Sequence, residues 1–296
     1  MISSVSDYAG RLNLKRFVKK NRANVLLWTS FIVFIMFAFH FFSDGDFSFL
    51  LTLGSMVCCF GFILILIKVI TSQSVMGLSL KSLQCYAVVF LTRTIAITRS
   101  EGYLPFDRSG DWLYQTIECL TLLVILVVIY CIMVQFRYTH NAHQDTFGNN
   151  YVSQKLGALL LIVPCLILGF LFHPALAHSY FLDSCWSVSQ LLESVAIIPQ
   201  LTMFTKNRSG EVEPFTSHFV FAQAASRFLN FLFWSSSWKE LNRGANWFSS
   251  HLAGQTVVCA QITQMILMAN YVYHYINSVI NDAPMRLPTY MNVRMD

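Results

Sequence analysis

Charged residues are scarce in this sequence. Asp, Glu, Lys and Arg make up 12% of its 296 residues, whereas a soluble domain carries about 25%. Hydrophobic residues reach 55%, and apolar runs of about 20 residues recur along the chain, with no polar stretch long enough to fold as a separate soluble domain. The sequence therefore predicts an integral membrane protein. Its formal net charge of +5 then bears on orientation in the membrane and not on nucleic-acid binding.

Signatures of catalysis and of metal binding are missing as well. The chain has no nucleophile elbow, phosphate-binding glycine loop or zinc-protease helix, so we expect neither an enzyme nor a cofactor. All eight cysteines fall inside apolar runs, which argues against a disulfide framework or a zinc site and favours buried packing residues. The run from His140 to Asp145 lacks a further metal ligand and is interpreted as a solvated loop.

Eight apolar segments are present, each long enough to cross about 30 Å of hydrocarbon as a helix. The first has no small-residue cleavage site and follows a long polar leader, so it is interpreted as an anchor rather than a signal peptide. The predicted fold class is an all-α integral membrane protein. The segments are 24–42, 49–70, 82–98, 112–134, 156–176, 180–203, 216–237 and 252–279.

The distribution of positive charge predicts the orientation. The basic leader, residues 1–23, should stay in the cytosol, and eight crossings return the tail, residues 282–296, to the same side. Of the 20 Lys and Arg residues, fourteen then face the cytosol, four face the other side and two lie in membrane segments. The glycosylation sequon at Asn207 faces the cytosol on this topology and should stay unmodified.

Two regions of the chain share a layout. Ser82 precedes Arg93 by eleven positions, and Thr216 precedes Arg227 by the same number. The match predicts two parallel three-helix repeats joined by a linker helix, with the first segment as an addition. Parallel repeats place a site near the bilayer midplane, at their interface.

Three ionisable side chains fall near the middle of apolar segments: Arg93, Glu193 and Arg227. A charge at that depth costs about 2.5–3.5 kcal/mol on insertion scales, so each needs a partner or water. One interpretation is a buried Glu193–Arg227 pair, which leaves Arg93 without a partner because its own segment holds no acid. The other is a polar cavity whose arginine grips an anionic ligand, since a guanidinium matches the two oxygens of a carboxylate.

Four side chains of one segment share a helical face: Asp183, Trp186, Gln190 and Glu193. A polar stripe with one indole is typical of a pocket wall, although Trp186 could instead belong to an interfacial aromatic belt. Glu118 is a further candidate for the lining.

Six collinear motifs connect the chain to a known family. They are IKVITSQSVMGLSLKSLQ at 67–84, VVFLTR at 88–93, HQDTF at 143–147, LLESVAIIPQL at 191–201, FTSHFVFA at 215–222 and RLP at 286–288. On these motifs, residues from about 50 to 290 resemble the ER-lumen protein-retaining (KDEL) receptor family.

The resemblance implies a seven-helix core over residues 48–281, similar to the SWEET and PQ-loop transporters, plus the extra transmembrane helix at 24–42. It also implies a receptor in ER and Golgi membranes that captures escaped lumenal proteins by a C-terminal tetrapeptide and returns them to the ER. The implied partners are those proteins, the vesicle coat and the cargo-sorting machinery. A PQ-loop-like transporter of a small solute is the alternative from another functional class.

The resemblance also implies a ligand site. Arg93 matches the arginine that holds the terminal carboxylate of the peptide. Pocket acids and the pocket tryptophan match Asp183, Glu193 and Trp186, and two further matched positions beside them are Arg227 and Trp234.

Several positions depart from the family pattern. The family has an arginine at Leu51, a pH-sensing histidine at Cys58, acids at Ala96 and Asn270, a tyrosine at Ser226 and a second ligand-gripping arginine at Ser237. The lysine-rich tail used for coat binding is absent. The chain is more similar to the divergent receptor-like branch of plants and protists, for which retrieval does not follow from membership.

Overall fold

The computed structural model describes residues 22–42, 49–99, 111–175, 179–207, 210–242, 252–281 and 283–287. This part of the chain is helical apart from loops and one isolated bridge between Glu211 and Arg286, which confirms the all-α prediction. Nearly all of the leader (1–23) and most of the tail (282–296) lie outside these residues, so the predictions made for them are untested.

The chain divides into two compact units, residues 1–49 and 50–296. Helix α1, Arg22–Phe42, belongs to the first unit. Eight further helices are described: α2 (Phe49–Ser72), α3 (Leu80–Arg99), α4 (Asp111–Tyr130), α5 (Leu159–Leu171), α6 (Tyr180–Val195), α7 (Ile198–Thr205), α8 (Pro214–Ser237) and α9 (Ala253–Asn281). A π-helical turn, Cys131–Gln135, continues α4.

Four stretches of the described chain are long and apolar enough to cross a membrane. They are Phe49–Ser72, Leu80–Arg99, Trp112–Gln135 and Gln154–Leu171. The remaining predicted segments are helical too, but α6, α8 and α9 bury many polar side chains. These polar side chains lower the hydropathy of the three helices and point to a polar interior.

The predicted segment 180–203 is not one continuous helix. Helix α6 ends at Val195, and Pro199 lies in the first turn of α7. A proline ring clashes with the carbonyl four positions earlier, which here belongs to Val195, and it supplies no N–H to a helix interior. The same ring is tolerated at a helix start, so the chain breaks and restarts there.

Aromatic packing joins α2, α3 and α8 in the second unit. The ring centroid of Phe62 lies 5.1 Å from Tyr86, 5.9 Å from Phe90 and 5.0 Å from Phe219. All four side chains are buried, and such edge-to-face or tilted pairs add to the burial of apolar surface.

Hydrogen bonds connect the loops at one end of the second unit. Ser79 Oγ donates to Asp145 Oδ1 at 2.9 Å, Gln200 Nε2 donates to Gly77 O at 2.8 Å, and Lys81 Nζ donates to Asn149 Oδ1 at 2.6 Å. Asp145 is only 3% exposed. The interpretation of its loop as solvated was therefore wrong at this residue, because the carboxylate of Asp145 is buried and accepts a hydrogen bond from Ser79.

Two ion pairs lie at the same end. Lys68 Nζ is 2.6 Å from Glu213 Oε2, and Arg286 Nη2 is 2.6 Å from Glu211 Oε1. Together with the preceding contacts, they bring together several of the basic residues that are predicted to face the cytosol.

The cysteines are all free. Six are buried, whereas Cys119 and Cys259 are exposed, so the prediction of buried packing residues was wrong for these two. In the described part of the chain, no group of three potential metal ligands comes together.

Candidate functional site

Three helices bring three charged side chains together in the interior of the second unit. Arg93 comes from α3, Glu193 from α6 and Arg227 from α8, and they are 2%, 1% and 1% exposed. One oxygen of Glu193, Oε2, accepts a hydrogen bond from Arg93 Nη2. The other, Oε1, lies 2.6 Å from Arg227 Nη2. A single carboxylate therefore holds two guanidinium groups.

A second acid completes the cluster. Glu118 of α4 is fully buried, and its Oε2 lies 3.6 Å from Arg93 Nη1. Its Oε1 accepts a 2.6 Å hydrogen bond from Ser55 Oγ. Two carboxylates and two guanidiniums give a formally neutral group, and charges buried in this way need such pairing to be tolerated. We call Arg93, Glu118, Glu193 and Arg227 the charge cluster.

The expectation that Arg93 lacks a partner was wrong. It rested on the absence of an acid in the same segment, but the partner lies 100 positions away, in α6. The Glu193–Arg227 pair proposed from the sequence is confirmed.

The guanidinium of Arg93 is held in a fixed orientation. Its Nε donates to Ser189 Oγ at 3.3 Å, and that hydroxyl in turn donates to Trp186 O at 2.6 Å. The ring of Phe90 lies 5.6 Å from Arg93 Cζ, within range of a cation–π contact. An orientation fixed on several sides suits an arginine that receives a ligand.

Arg227 has unused donors. Its Nη2 donates to Ser226 Oγ at 3.1 Å, while its Nε and Nη1 have no hydrogen-bond partner among the residues that the structure describes. Buried donors without partners are rare in native proteins, so these two mark a place where a polar ligand or water can bind.

Two tryptophans, from α6 and α8, pack against each other in the second unit. The ring centroids of Trp186 and Trp234 are 5.5 Å apart, with planes at 71°, and Trp186 is 4% exposed. That burial favours a pocket wall over an interfacial belt for Trp186. Asp183, one turn earlier in α6, is buried as well.

Some polar neighbours were not found from the sequence. Gln261 Nε2 donates to Gln190 Oε1 at 3.3 Å across α9 and α6, and Gln264 follows one turn later, also buried. The spacing of Gln261 and Gln264, three positions apart on one face of an apolar helix, is the pattern from which they could have been predicted. Ser55 and Ser189 carried no such signal, because lone serines are common in apolar helices.

Comparison with known proteins gives the family. The sequence profile described as ER lumen protein retaining receptor matches residues 74–237. An ER lumen protein-retaining receptor of Drosophila melanogaster is 30% identical over 237 residues, which is 79% of this chain and 96% of the relative. The ER lumen protein-retaining receptor 2 of Danio rerio is 31% identical over 76% of this chain and 92% of its own length. A receptor of the same name from Entamoeba histolytica is 30% identical over 76% and 91%.

The chain belongs to the ER lumen protein-retaining receptor family. The names of these relatives describe a retention receptor and not an enzyme.

Two of the positions at which the sequence departs from the family pattern hold buried apolar residues. Leu51 and Ala96 lie in the same apolar cluster as Trp186 and Trp234. Neither residue is ionisable, so neither adds a charge to the second unit at its position.

Cys58 has a partner of its own. Its Sγ donates to Gln223 Oε1 at 3.2 Å, and Gln223 Nε2 donates back to Cys58 O at 3.3 Å. This reciprocal pair links α2 to α8 without using a charge. Asn270, which the resemblance matches to a family acid, lies on the exposed face of α9.

Proposed function

We propose that this protein is a membrane receptor that binds the C-terminal retention signals of lumenal proteins and returns those proteins from the Golgi to the ER. The observation that carries the proposal is the buried charge cluster, in which Arg93 occupies the position that the resemblance assigns to carboxylate binding. The two terminal oxygens of a peptide match a guanidinium in a bidentate pair. Such a ligand would take the place of Glu193 on Arg93 and leave Glu193 with Arg227.

The spacing along α6 fits a short peptide. Asp183 precedes Glu193 by ten positions of helix, or about 15 Å, the length of about four to five extended residues. Trp186 lies between them. A peptide whose carboxylate meets Arg93 would therefore extend past the tryptophan towards Asp183.

For the fold, we infer a seven-helix core of two parallel repeats, as in the SWEET and PQ-loop transporters. Helices α2 to α4 would form the first repeat and α5 the linker. The second repeat would consist of α6 and α7, counted together as one broken segment, followed by α8 and α9. Support comes from Arg93 and Arg227, which are predicted to be equivalent and which both contact Glu193. The extra helix α1 and cytosolic termini belong to the same proposal.

The test is peptide binding to the purified protein. A synthetic peptide ending in Lys-Asp-Glu-Leu with a free carboxylate should bind, and the same peptide with a C-terminal amide should not, because the amide cannot form the charged bidentate pair. Equal affinity for the two peptides would contradict the proposal. Binding of neither would also contradict it.

A transporter of a small solute is the second candidate, favoured by the same pair of arginines, since parallel repeats are also a transporter architecture. Transport requires the site to open to both sides of the membrane. Proteoliposomes containing the protein would then take up a labelled carboxylate solute, whereas a retrieval receptor would bind peptide without uptake.

A further inference from the structure

Two glutamines of α9 have hydrogen-bonding capacity that is not used. Gln264 is 1% exposed, yet neither its Oε1 nor its Nε2 has a partner in the described part of the chain. Gln261 uses its Nε2 on Gln190, and its Oε1 is likewise without a partner among those residues. Buried amide groups are normally satisfied, so three unmet atoms on one helix face point to a ligand.

Helices α6 and α9 run in the same direction. Helix α6 continues through α7 into the segment 210–213, and α9 continues into 283–287. These two segments pair, since Val212 N donates to Met285 O and Leu287 N donates to Gly210 O, both at 3.0 Å. The C-terminal ends of the two helices therefore lie at the same end of the unit.

This direction places Gln264 at the level of the charge cluster. From the Gln190–Gln261 contact, three further residues along each helix, about 4.5 Å, lead to Glu193 on α6 and to Gln264 on α9. Trp186 lies one turn in the other direction, and its Nε1 also has no partner in the part of the structure that is described. Gln264, Gln261 and Trp186 thus form a series over about 10 Å of helix, which begins beside Glu193.

We propose that Gln264 and Gln261 bind the main chain of an extended peptide next to its terminal carboxylate. A carboxamide presents an N–H donor and a carbonyl acceptor side by side, which complements the C=O and N–H of a peptide group. A free carboxylic acid or a sugar lacks a repeating series of such groups, so the site selects a linear peptide. Because main-chain groups do not depend on sequence, the two glutamines recognise the peptide backbone and not its side chains. This inference rests on the proposed function, in which Arg93 takes the carboxylate.

The test compares a peptide ending in Lys-Asp-Glu-Leu with versions N-methylated at single peptide bonds. In the unaltered protein, N-methylation of one of the last two peptide bonds should weaken binding about tenfold, since it removes the N–H that donates to Gln264 Oε1. Gln264→Leu should weaken binding of the unmethylated peptide by a similar factor, and methylation should then have little further effect. Gln255→Leu, on the exposed face of the same helix, is the matched control and should bind as the unaltered protein does.

The outcomes separate the two proposals. If the unaltered protein binds none of these peptides, the proposed function is wrong, and the inference that rests on it is wrong as well. If it binds the unmethylated peptide, and Gln264→Leu or methylation leaves the affinity unchanged, the inference alone fails. A structural role for Gln264 predicts that Gln264→Leu unfolds at a clearly lower temperature, whereas a ligand-binding role predicts a melting temperature unchanged or raised. A lowered melting temperature together with no effect of methylation would overturn the inference.

Discussion

At the scale of the residue, Glu193 is the carboxylate that contacts both buried arginines, Arg93 and Arg227. Glu193→Gln leaves the two buried guanidiniums with Glu118 as the remaining carboxylate of the charge cluster. We expect the free energy of unfolding to fall by about 3–5 kcal/mol, measured by denaturation in detergent. The control is Glu211→Gln, whose ion pair with Arg286 is exposed and should contribute less than about 1 kcal/mol.

Glu193 and Arg227 should also be coupled. Removing both partners leaves less unpaired charge than removing either one, so the loss of stability in the double variant Glu193→Gln/Arg227→Gln should be smaller than the sum of the two single losses. A double-mutant cycle measures the difference. Additivity within about 0.5 kcal/mol would show that the 2.6 Å contact contributes nothing.

Arg93→Ala tests the carboxylate site directly. It removes the guanidinium that the proposed function assigns to the terminal carboxylate, and we expect binding of the carboxylate ligand to be abolished. Arg286→Ala removes an exposed arginine and should leave the affinity unchanged. An Arg93→Ala protein that binds its ligand as tightly as the unaltered protein would exclude this role.

Binding should depend only weakly on pH. The resemblance matches Cys58 to a pH-sensing histidine of the family, and a thiol, with an ordinary pKa of about 8.5, is neutral both at pH 5.5 and at pH 7.2. Outside the membrane segments, burial lowers the pKa of the His140 imidazole, so it gains fewer protons at pH 5.5 than an ordinary histidine. We expect less than about a tenfold change in affinity, or about 1.4 kcal/mol, between these pH values. A much steeper, acid-favoured binding curve would refute this.

At the scale of the element, α5 and α6 touch at a glycine. A Cβ on Gly169 would lie 2.4 Å from Val188 Cγ2 and 2.7 Å from the backbone nitrogen of Val188. The backbone atom cannot move aside by a rotamer change, so Gly169→Ala must separate the helices. We expect it to lower stability by about 1–3 kcal/mol and, because α6 carries Glu193, to weaken ligand binding as well.

The control for this element is Leu168→Ala, since Leu168 is exposed. Thermal unfolding of the two variants should show a clearly larger loss for Gly169→Ala. Equal melting temperatures would mean that the close contact between α5 and α6 does not limit the packing.

At the scale of the whole molecule, the orientation in the membrane is open to a direct test. At one end of the second unit, Lys68 near the end of α2 pairs with Glu213, and Lys81 at the start of α3 bonds to Asn149. The positive-inside rule predicts that this end faces the cytosol. The sequon at Asn207 should therefore remain unglycosylated in cells, whereas a sequon introduced within residues 100–110 should be glycosylated. Mass shifts on glycosidase treatment give the answer, and modification of Asn207 would reverse the proposed orientation.

Much of the architecture follows from the sequence alone. The low charge and the recurring apolar runs are sufficient for an all-α membrane protein, since a backbone in hydrocarbon must satisfy its own hydrogen bonds. The high energy of a buried charge is sufficient to single out Arg93, Glu193 and Arg227. The same reasoning gave the Glu193–Arg227 pair as one of two interpretations.

Only the tertiary structure decided which side chains meet. Arg93 pairs with an acid 100 positions away, Glu118 enters the same cluster, and Asp145 turns inward to Ser79. Apolar runs determine that a helix forms and approximately where it ends. They do not determine how each helix is rotated about its axis or which helices become neighbours, and a rotation of one residue, about 100°, would direct Glu193 away from both arginines. The pairing therefore depends on packing between helices, which is a property of the whole chain.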